Sequence, residues 1–362
     1  MDDDNDGFTD VEEQQATPPT DAVDARRFPV RLPPEGATTL VVDTASTLLA
    51  AERDGTPAAA YRSLSEALQA LRTGRLPAVD TVQVRAGTYS PLTTQEMFPL
   101  ELSGLAGLTL RGEGTVVLDA GLTAPVFQAT SSRDLVIEGF VITRGVRCID
   151  IQESTNLIIR HNHITACSPN GISVGTHASG IVIANNLVDD NDEHGVSVLG
   201  DSEATVRQNT LRRNGRLGLV ITTTQATIIV NLVEENAWRG ISIVANAIAT
   251  VADNTVRQNG SNGINIFGAT AELTGNTISN NAGAGVLVIR GVTATLMGNT
   301  IEHNFAMGIF SADPGTTLIA TDNTVRLNQA LGIFVLEGST AIIRFSNNAE
   351  GDTIGNVIDI AS

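Results

Sequence analysis

The feature that most constrains this chain is a repeat. Asn162, Asn186, Asn209, Asn231, Asn254, Asn276, Asn299 and Asn323 recur every 22 to 24 residues, and nine residues after each stands a Gly, from Gly171 and Gly195 to Gly308 and Gly332. Five residues after most anchors comes a second Asn, from Asn191 and Asn214 through Asn328. The unit reads Asn-x-aliphatic-x-x-Asn-x-x-x-Gly-aliphatic-x-aliphatic, for example Asn254 to Val256 continuing into Gly263 to Ile266. A period of this length leaves room for three short strands and two or three bends. Stacked units of that kind make a parallel β-solenoid, in which each residue lies about 4.8 Å above its equivalent in the coil below.

That architecture assigns roles to the repeated positions. Stacked Asn side chains are expected to bond to one another and to the backbone at the bends, as Asn ladders do. The repeated Gly is expected to supply a bend conformation that a Cβ would oppose. Positions after the Gly alternate in and out, and the inward ones are aliphatic, as in Ile172 and Val174, Ile241 and Ile243, Val286 and Val288. Before the anchors, Ala204, Ala226, Ala249, Ala271 and Ala294 predict a column of small inward residues. An earlier coil over 140–151 fits the pattern with Phe140 at the anchor, and a looser one follows Asn347. The expected fold is all-β, a right-handed parallel β-helix of about a dozen coils.

The Asn/Gly unit resembles the β-helix repeat of the pectate-lyase-like superfamily over roughly 80–360. Upstream, Tyr61 to Leu68, Thr81 to Tyr89, Glu96 to Leu100 and Leu108 to Glu113 resemble the opening of DUF1565 and related β-helix domains. The resemblance implies a fold, and for DUF1565 no established activity. Mannuronan epimerases of this superfamily carry an Asp-Pro-His motif, whereas the nearest segment here, Gly171 to Gly175, has none of the three. No paired-Asp hydrolase signature falls on neighbouring coils. The chain has no Lys, so β-elimination would need Arg or His as base.

The rest of the chain divides simply. Residues 1–13 form an acidic loop, 14–55 a linker and extended segment, and 56–362 the β-helix. A short amphipathic helix is expected over 63–72, with Ser63 and Glu66 as a capping box, plugging the open end of the solenoid. In the acidic loop, Asp2, Asp4, Asp6, the backbone of Phe8, Asp10 and Glu13 have calcium-loop spacing, with Gly7 at the sharp turn. They resemble EF-hand-like and thrombospondin type 3-like repeats, which implies calcium as a cofactor; the alternative is a disordered acidic tail.

Composition narrows the partners. The 40 acidic residues against 22 basic ones leave a net charge of −18, which disfavours nucleic acid and anionic lipid. No apolar run approaches the ~18–20 residues of a membrane span. Acidic residues follow Met1 directly in place of a signal peptide, which leaves either a cytosolic protein or one whose signal has been removed; the calcium-loop resemblance favours the second, an extracellular or cell-surface bacterial protein. Cys148 and Cys167 fall on adjacent coils, four repeat positions apart, and the spacing leaves their pairing open.

Candidates for chemistry lie on the outward side of the strand after the Gly. Its early coils carry Asp150, Gln152, Ser173 and Ser197, and just before the bend lie Arg147, Asn170 and His194. Arg147, Asp150, Asn170, Ser173 and Ser197 could hold a sugar through its carboxylate and hydroxyls. Arg147, Asp150 and His194 are the candidate catalytic groups, with His194 as general base. The bland alternative is an ordinary solvated sheet face.

Three residues after each anchor, Asp189, Arg212, Glu234, Arg257, Ser279, Glu302 and Arg326 read as a surface charge ladder. The run Asp189, Asp190, Asp192 and Glu193 could bind a second calcium, were Arg212 and Arg213 not one coil away. On the later coils the outward positions turn apolar, with Val244, Phe267, Leu287, Ile289, Phe310, Phe334 and Leu336, a face that segment 28–50, a second copy or sugar rings could cover. The reading that emerges is a β-helix that binds polysaccharide or a cell-envelope partner. The alternatives are a lyase, epimerase or hydrolase of acidic glycans, and a structural spacer or adhesin that self-associates through Phe310 and Phe334.

Overall fold

The computed structural model describes residues 31–343, apart from 74, 75, 77 and 223, together with the strand Ile358–Asp359. The chain winds into an all-β parallel solenoid of about 11 turns, and each strand pairs in register with its equivalent one coil away. Two sheets form its walls. One has 22 strands and contains both strands flanking each Asn anchor; the other has 11 strands, one per coil, which on the repeat coils start within one residue of the repeated Gly. The expected columns are present. Ala204, Ala226, Ala249, Ala271 and Ala294 stack in one register and are buried. Ile172, Val196, Leu219, Ile241, Ile264, Val286, Ile309 and Ile333 are each 0% exposed. At roughly 1.5–3 kcal/mol per buried aliphatic side chain, this continuous interior is the main stabilising term.

The bends are made differently from the expectation. The residue before each anchor Asn sits in the left-handed region, and it is almost any type: His161, Asn185, Gln208, Val230, Asp253, Gly275, Gly298 and Asp322 have φ of 55–66°. A second left-handed residue follows four positions after each anchor, from Ala166 and Asp190 to His303 and Leu327. What holds these costly conformations is the Asn ladder. The backbone N–H of Asn186 donates to Asn209 Oδ1 at 2.9 Å, and the Asn186 amide donates to the same oxygen and to Ile159 O. The second Asn column repeats the device. Phe140 takes the anchor at the bottom of the first column, its N–H donating to Asn162 Oδ1 at 3.1 Å.

The repeated Gly therefore does not serve the bend. Gly171, Gly195, Gly218, Gly240, Gly263, Gly285 and Gly308 do not have positive φ. A Cβ on any of them would fall 2.6–2.9 Å from the carbonyl oxygen of the Gly one coil further on. The position is Gly because successive coils touch there, backbone to backbone.

At the N-terminal end, strand β1 (Thr39–Val42) pairs with β2 (Thr81–Tyr89) as the first rung. Residues 31–50 thus belong to that end and do not cover the apolar face near Phe310. Helix α1 (Leu64–Arg72) packs against the first strands of both sheets with Leu64, Ala67, Leu68 and Ala70 buried, as a plug should. Ser63 Oγ accepts from Glu66 N–H at 3.2 Å, while the Glu66 carboxylate reaches back to Arg62 N–H. A second carboxylate holds the helix start. Glu96, 2% exposed, accepts from the N–H groups of Leu64 and Ser65 at 2.9 and 2.8 Å and from Ser65 Oγ.

Burial pushes the Glu96 carboxyl up to about 7, against the lowering effect of its hydrogen bonds from Ser65 and Leu64. A carboxyl raised in the folded state favours folding most when protonated. Its contribution is fully present below the unfolded value near 4.3 and lost as pH rises through 7. The melting temperature of the native chain should fall between pH 5 and 8 more steeply than that of Glu96→Gln. The difference corresponds to on the order of 3 kcal/mol. Parallel profiles would show that Glu96 stays ionised.

Candidate functional site

The outer face of the 11-stranded sheet carries the predicted residues in three columns. The middle column runs Gln128, Asp150, Ser173, Ser197, Val220, Ser242, Asn265, Leu287, Phe310 and Phe334, one residue per coil. Beside it, on the bend side, stand Arg147, Asn170, His194, Leu217 and Arg239. The first surprise is burial. Asp150, Ser173, Ser197, Ser242 and Asn265 are 9%, 4%, 1%, 2% and 1% exposed, so this strip is not an ordinary solvated face.

Local contacts explain part of it. The Arg147 guanidinium lies 3.6 Å from Asp150 Oδ2, and Gln152 Nε2 donates to Asp150 Oδ1 at 3.0 Å. The Gln152 amide fills the space over Gly175, where any Cβ would lie 2.1 Å from its oxygen. On the next coil Asn170 Nδ2 donates to Ser173 Oγ at 3.3 Å, and Asn170 Oδ1 accepts from His194 N–H. Burial lowers the His194 pKa, with Glu193, 3.8 Å from Nε2, opposing the shift. Its Nδ1 is buried and has no hydrogen-bond partner among the described residues.

Arg147 and Asp150 are thus brought together, and so are Asn170 and Ser173. His194 stands two coils beyond Asp150, about 10 Å along the axis at one rung per coil. The three candidate catalytic groups are not assembled at one point.

Beneath this pair of coils Cys148 and Cys167 are joined by a disulfide with a Cα separation of 5.6 Å. The bond ties the turn that presents Arg147 to the coil that presents Asn170. Sequence spacing left this open because the two positions are not equivalent in the repeat. They meet across the bend.

The other candidates resolve as structure. Asp189 pairs with Arg213 at 2.8 Å and Arg212 at 3.4 Å, Asp190 with Arg213, and Glu193 with Arg216. Asp189, Asp190 and Glu193 of the acidic run are thus matched by arginines one coil away, and the described residues contain no group of three or more His, Cys, Asp or Glu able to hold a metal. The charge ladder continues through Arg257–Glu234 and Arg326–Glu302, each at 2.8 Å. Of the other histidines, His163 and His177 bond Asp189 and Asp201, and His161 and His303 occupy left-handed bends. The calcium-loop residues Asp2, Asp4, Asp6, Phe8, Asp10 and Glu13 lie outside the described residues.

The apolar half of the face is present. Phe310 and Phe334 stack with ring centroids 5.5 Å apart, both half-buried, and the Arg290 guanidinium lies 4.5 Å from the Phe267 ring centre. Sequence reading missed the polar extension beyond Ser197. Ser242 and Asn265 hold the same repeat position as Asp150 and Ser173, so the column itself was the available signal.

The family model for the right-handed β-helix region matches residues 125–256 and 217–355. The chain belongs to this β-helix family. Solved structures similar to this β-helix include the A-module of mannuronan C-5 epimerase AlgE6 from Azotobacter vinelandii, with 17% identity, 80% of this chain and 96% of that one covered, and a TM-score of 0.61. The Dettilon tailspike protein gp208 matches at 15% identity over 88% of this chain and 68% of its own, with a TM-score of 0.62. Pectate lyase Pel9A matches at 14% identity over 85% and 79%, with a TM-score of 0.53. At these identities the likeness is one of fold. No curated protein matches the chain in sequence.

Proposed function

We propose that this β-helix binds a polysaccharide chain laid along the outer face of its 11-stranded sheet. One observation carries the reading: a strip of hydroxyl, amide and carboxylate groups on successive coils, interrupted at Val220, includes a buried His194 nitrogen with no partner among the described residues. Buried polar atoms are almost always bonded, so an unmet one in a strip of this kind points to a ligand or water completing it. A linear sugar polymer matches a surface that repeats along one axis. The similar structures of an epimerase, a lyase and a tailspike support a glycan-related role without naming one.

Binding without turnover is the favoured form, since Asp150 and His194 stand on separate coils. The Cys148–Cys167 disulfide supports an oxidising location, outside the cell or at its surface. The ligand spacing from Asp2 to Glu13 supports a calcium module of the weak extracellular kind, with affinity around 10⁻⁴–10⁻³ M.

A glycan-array screen of the purified chain, with calcium and with EDTA, tests the proposal. Binding is expected, and Asp150→Ala and His194→Ala should each weaken it roughly tenfold, about the worth of one charge-assisted hydrogen bond. Products with new unsaturated ends or altered sugars, lost in His194→Ala, would replace binding by catalysis. Silence under both conditions would end the glycan reading and leave the spacer or adhesin, self-associating through Phe310 and Phe334.

A further inference from the structure

The polar strip does not stop at His194. Two more buried side-chain atoms on the same face lack a hydrogen-bond partner among the described residues: Arg239 Nε and Asn265 Oδ1. Asn265 donates its amide to Ser242 Oγ at 3.2 Å, which leaves its oxygen as the unmet acceptor. Arg239 is the more telling case. Among the described residues it has no ion pair, whereas on this face Arg147 is matched by Asp150 and Arg216 by Glu193.

What holds Arg239 in place is an aromatic ring. Its guanidinium carbon lies 3.9 Å from the ring centre of Trp238, and that of Arg216 lies 5.7 Å from the same centre. The backbone N–H of Trp238 donates to Arg216 O at 2.8 Å, so coil stacking sets the order Glu193, Arg216, Trp238 along the rim of the strip. Trp238 remains 38% exposed. A half-buried cation without a counter-charge, in a chain of net charge −18, is a costly arrangement unless something anionic completes it.

We propose that Arg239 and Trp238 form an anionic-sugar subsite, in which the Arg239 fork takes the carboxylate of a uronate-type residue and Trp238 packs against the ring of that sugar. The inference rests on the glycan reading above and names its chemical class. A guanidinium presents parallel N–H donors that match a carboxylate. Asn265 Oδ1, one coil on, would accept from a hydroxyl of the neighbouring sugar. Val220 and Leu217 put an apolar rung between this subsite and His194, suited to the C–H face of a sugar ring.

Trp238 is the only tryptophan of the chain, so its fluorescence reports this subsite alone. The full chain is titrated with oligouronates (galacturonate, mannuronate, guluronate and glucuronate), with their carboxyl-reduced counterparts and with dextran sulfate. Emission and calorimetry are read together. An oligouronate is expected to bind and shift Trp238 emission. Arg239→Gln should weaken that binding roughly 10- to 100-fold, with binding of the reduced sugar unchanged. Arg239→Lys, which keeps charge but loses the fork, should fall between, and equal melting temperatures would show that both variants fold.

Oligouronate binding seen by calorimetry, silent at Trp238 and indifferent to Arg239→Gln but lost in Arg147→Gln, would overturn the subsite and keep the glycan strip. Preference for dextran sulfate would overturn the carboxylate assignment. No binding by any of these sugars would overturn the subsite and the glycan reading alike.

Discussion

Asn254→Ala is expected to destabilise the solenoid by about 3–5 kcal/mol, measured by urea unfolding, the largest loss among single substitutions outside the aliphatic core. Asn254 is 1% exposed, and its side chain serves five bonds. Its Oδ1 accepts from the backbone N–H and the side-chain amide of Asn231, each at 2.9 Å. Its Nδ2 donates to Ile228 O, Ala252 O and Asn276 Oδ1. Truncation to Ala orphans at least one buried N–H and one buried carbonyl, each costing roughly 1–3 kcal/mol with no water to replace the partner. It also removes the clamp on the left-handed bend at Asp253. Asn280→Ala, exposed at a left-handed bend, is the comparison, with an expected cost of about 1 kcal/mol. Equal losses in the two variants would mean that the ladder is not what holds the bends.

Gly263→Ala should cost about 2–3 kcal/mol despite adding a single methyl group. The new Cβ would lie 2.6 Å from Ile278 Cγ2, 2.8 Å from Asn281 Nδ2 and 2.8 Å from Gly285 O. Two of these atoms belong to the ladder and the backbone of the next coil, which cannot withdraw without lengthening the rungs they support. Gly298→Asn is expected to fall within about 0.5 kcal/mol of neutral, although φ there is +64°. No atom stands within 4 Å of its Cβ, and Gln208, Val230, Asp253 and Asp322 occupy the equivalent bend. The usual expectation, that a glycine at positive φ is the irreplaceable one, is reversed in this solenoid. Thermal melts of the two variants decide it, and a larger loss at Gly298 than at Gly263 would refute the coil-contact explanation.

The repeated residues were legible because each is forced by a contact that recurs from coil to coil over 162–332. Asn is the side chain that both accepts from the bend below and donates to its neighbours, and Gly is the only residue that fits where two backbones touch. Such constraints fix residue type, so they show as a period in the sequence. The bend residues left no such trace. His161, Gln208 and Val230 share one conformation because the ladder beside them imposes it while their own side chains face solvent.

The candidate site was legible only in outline. The positions of Arg147, Asp150, Asn170, Ser173, His194 and Ser197 on one face followed from parity. That Arg147 pairs with Asp150, that His194 stands apart, and that the strip is buried depended on rotamers and on neighbours one coil away. Trp238 and Arg239 carry no signal in the sequence, where they are merely adjacent. Their meaning comes from Arg216, which lies one coil earlier at the position equivalent to Trp238.

By itself, then, the sequence determined the coil length, the inward faces and the Asn columns, since these depend on contacts repeated from coil to coil. The tertiary structure alone decided which bends are left-handed, that Cys148 meets Cys167, and which buried atoms stand without a partner. Those depend on how one coil rests on the next, where a shift of an ångström changes which groups can bond.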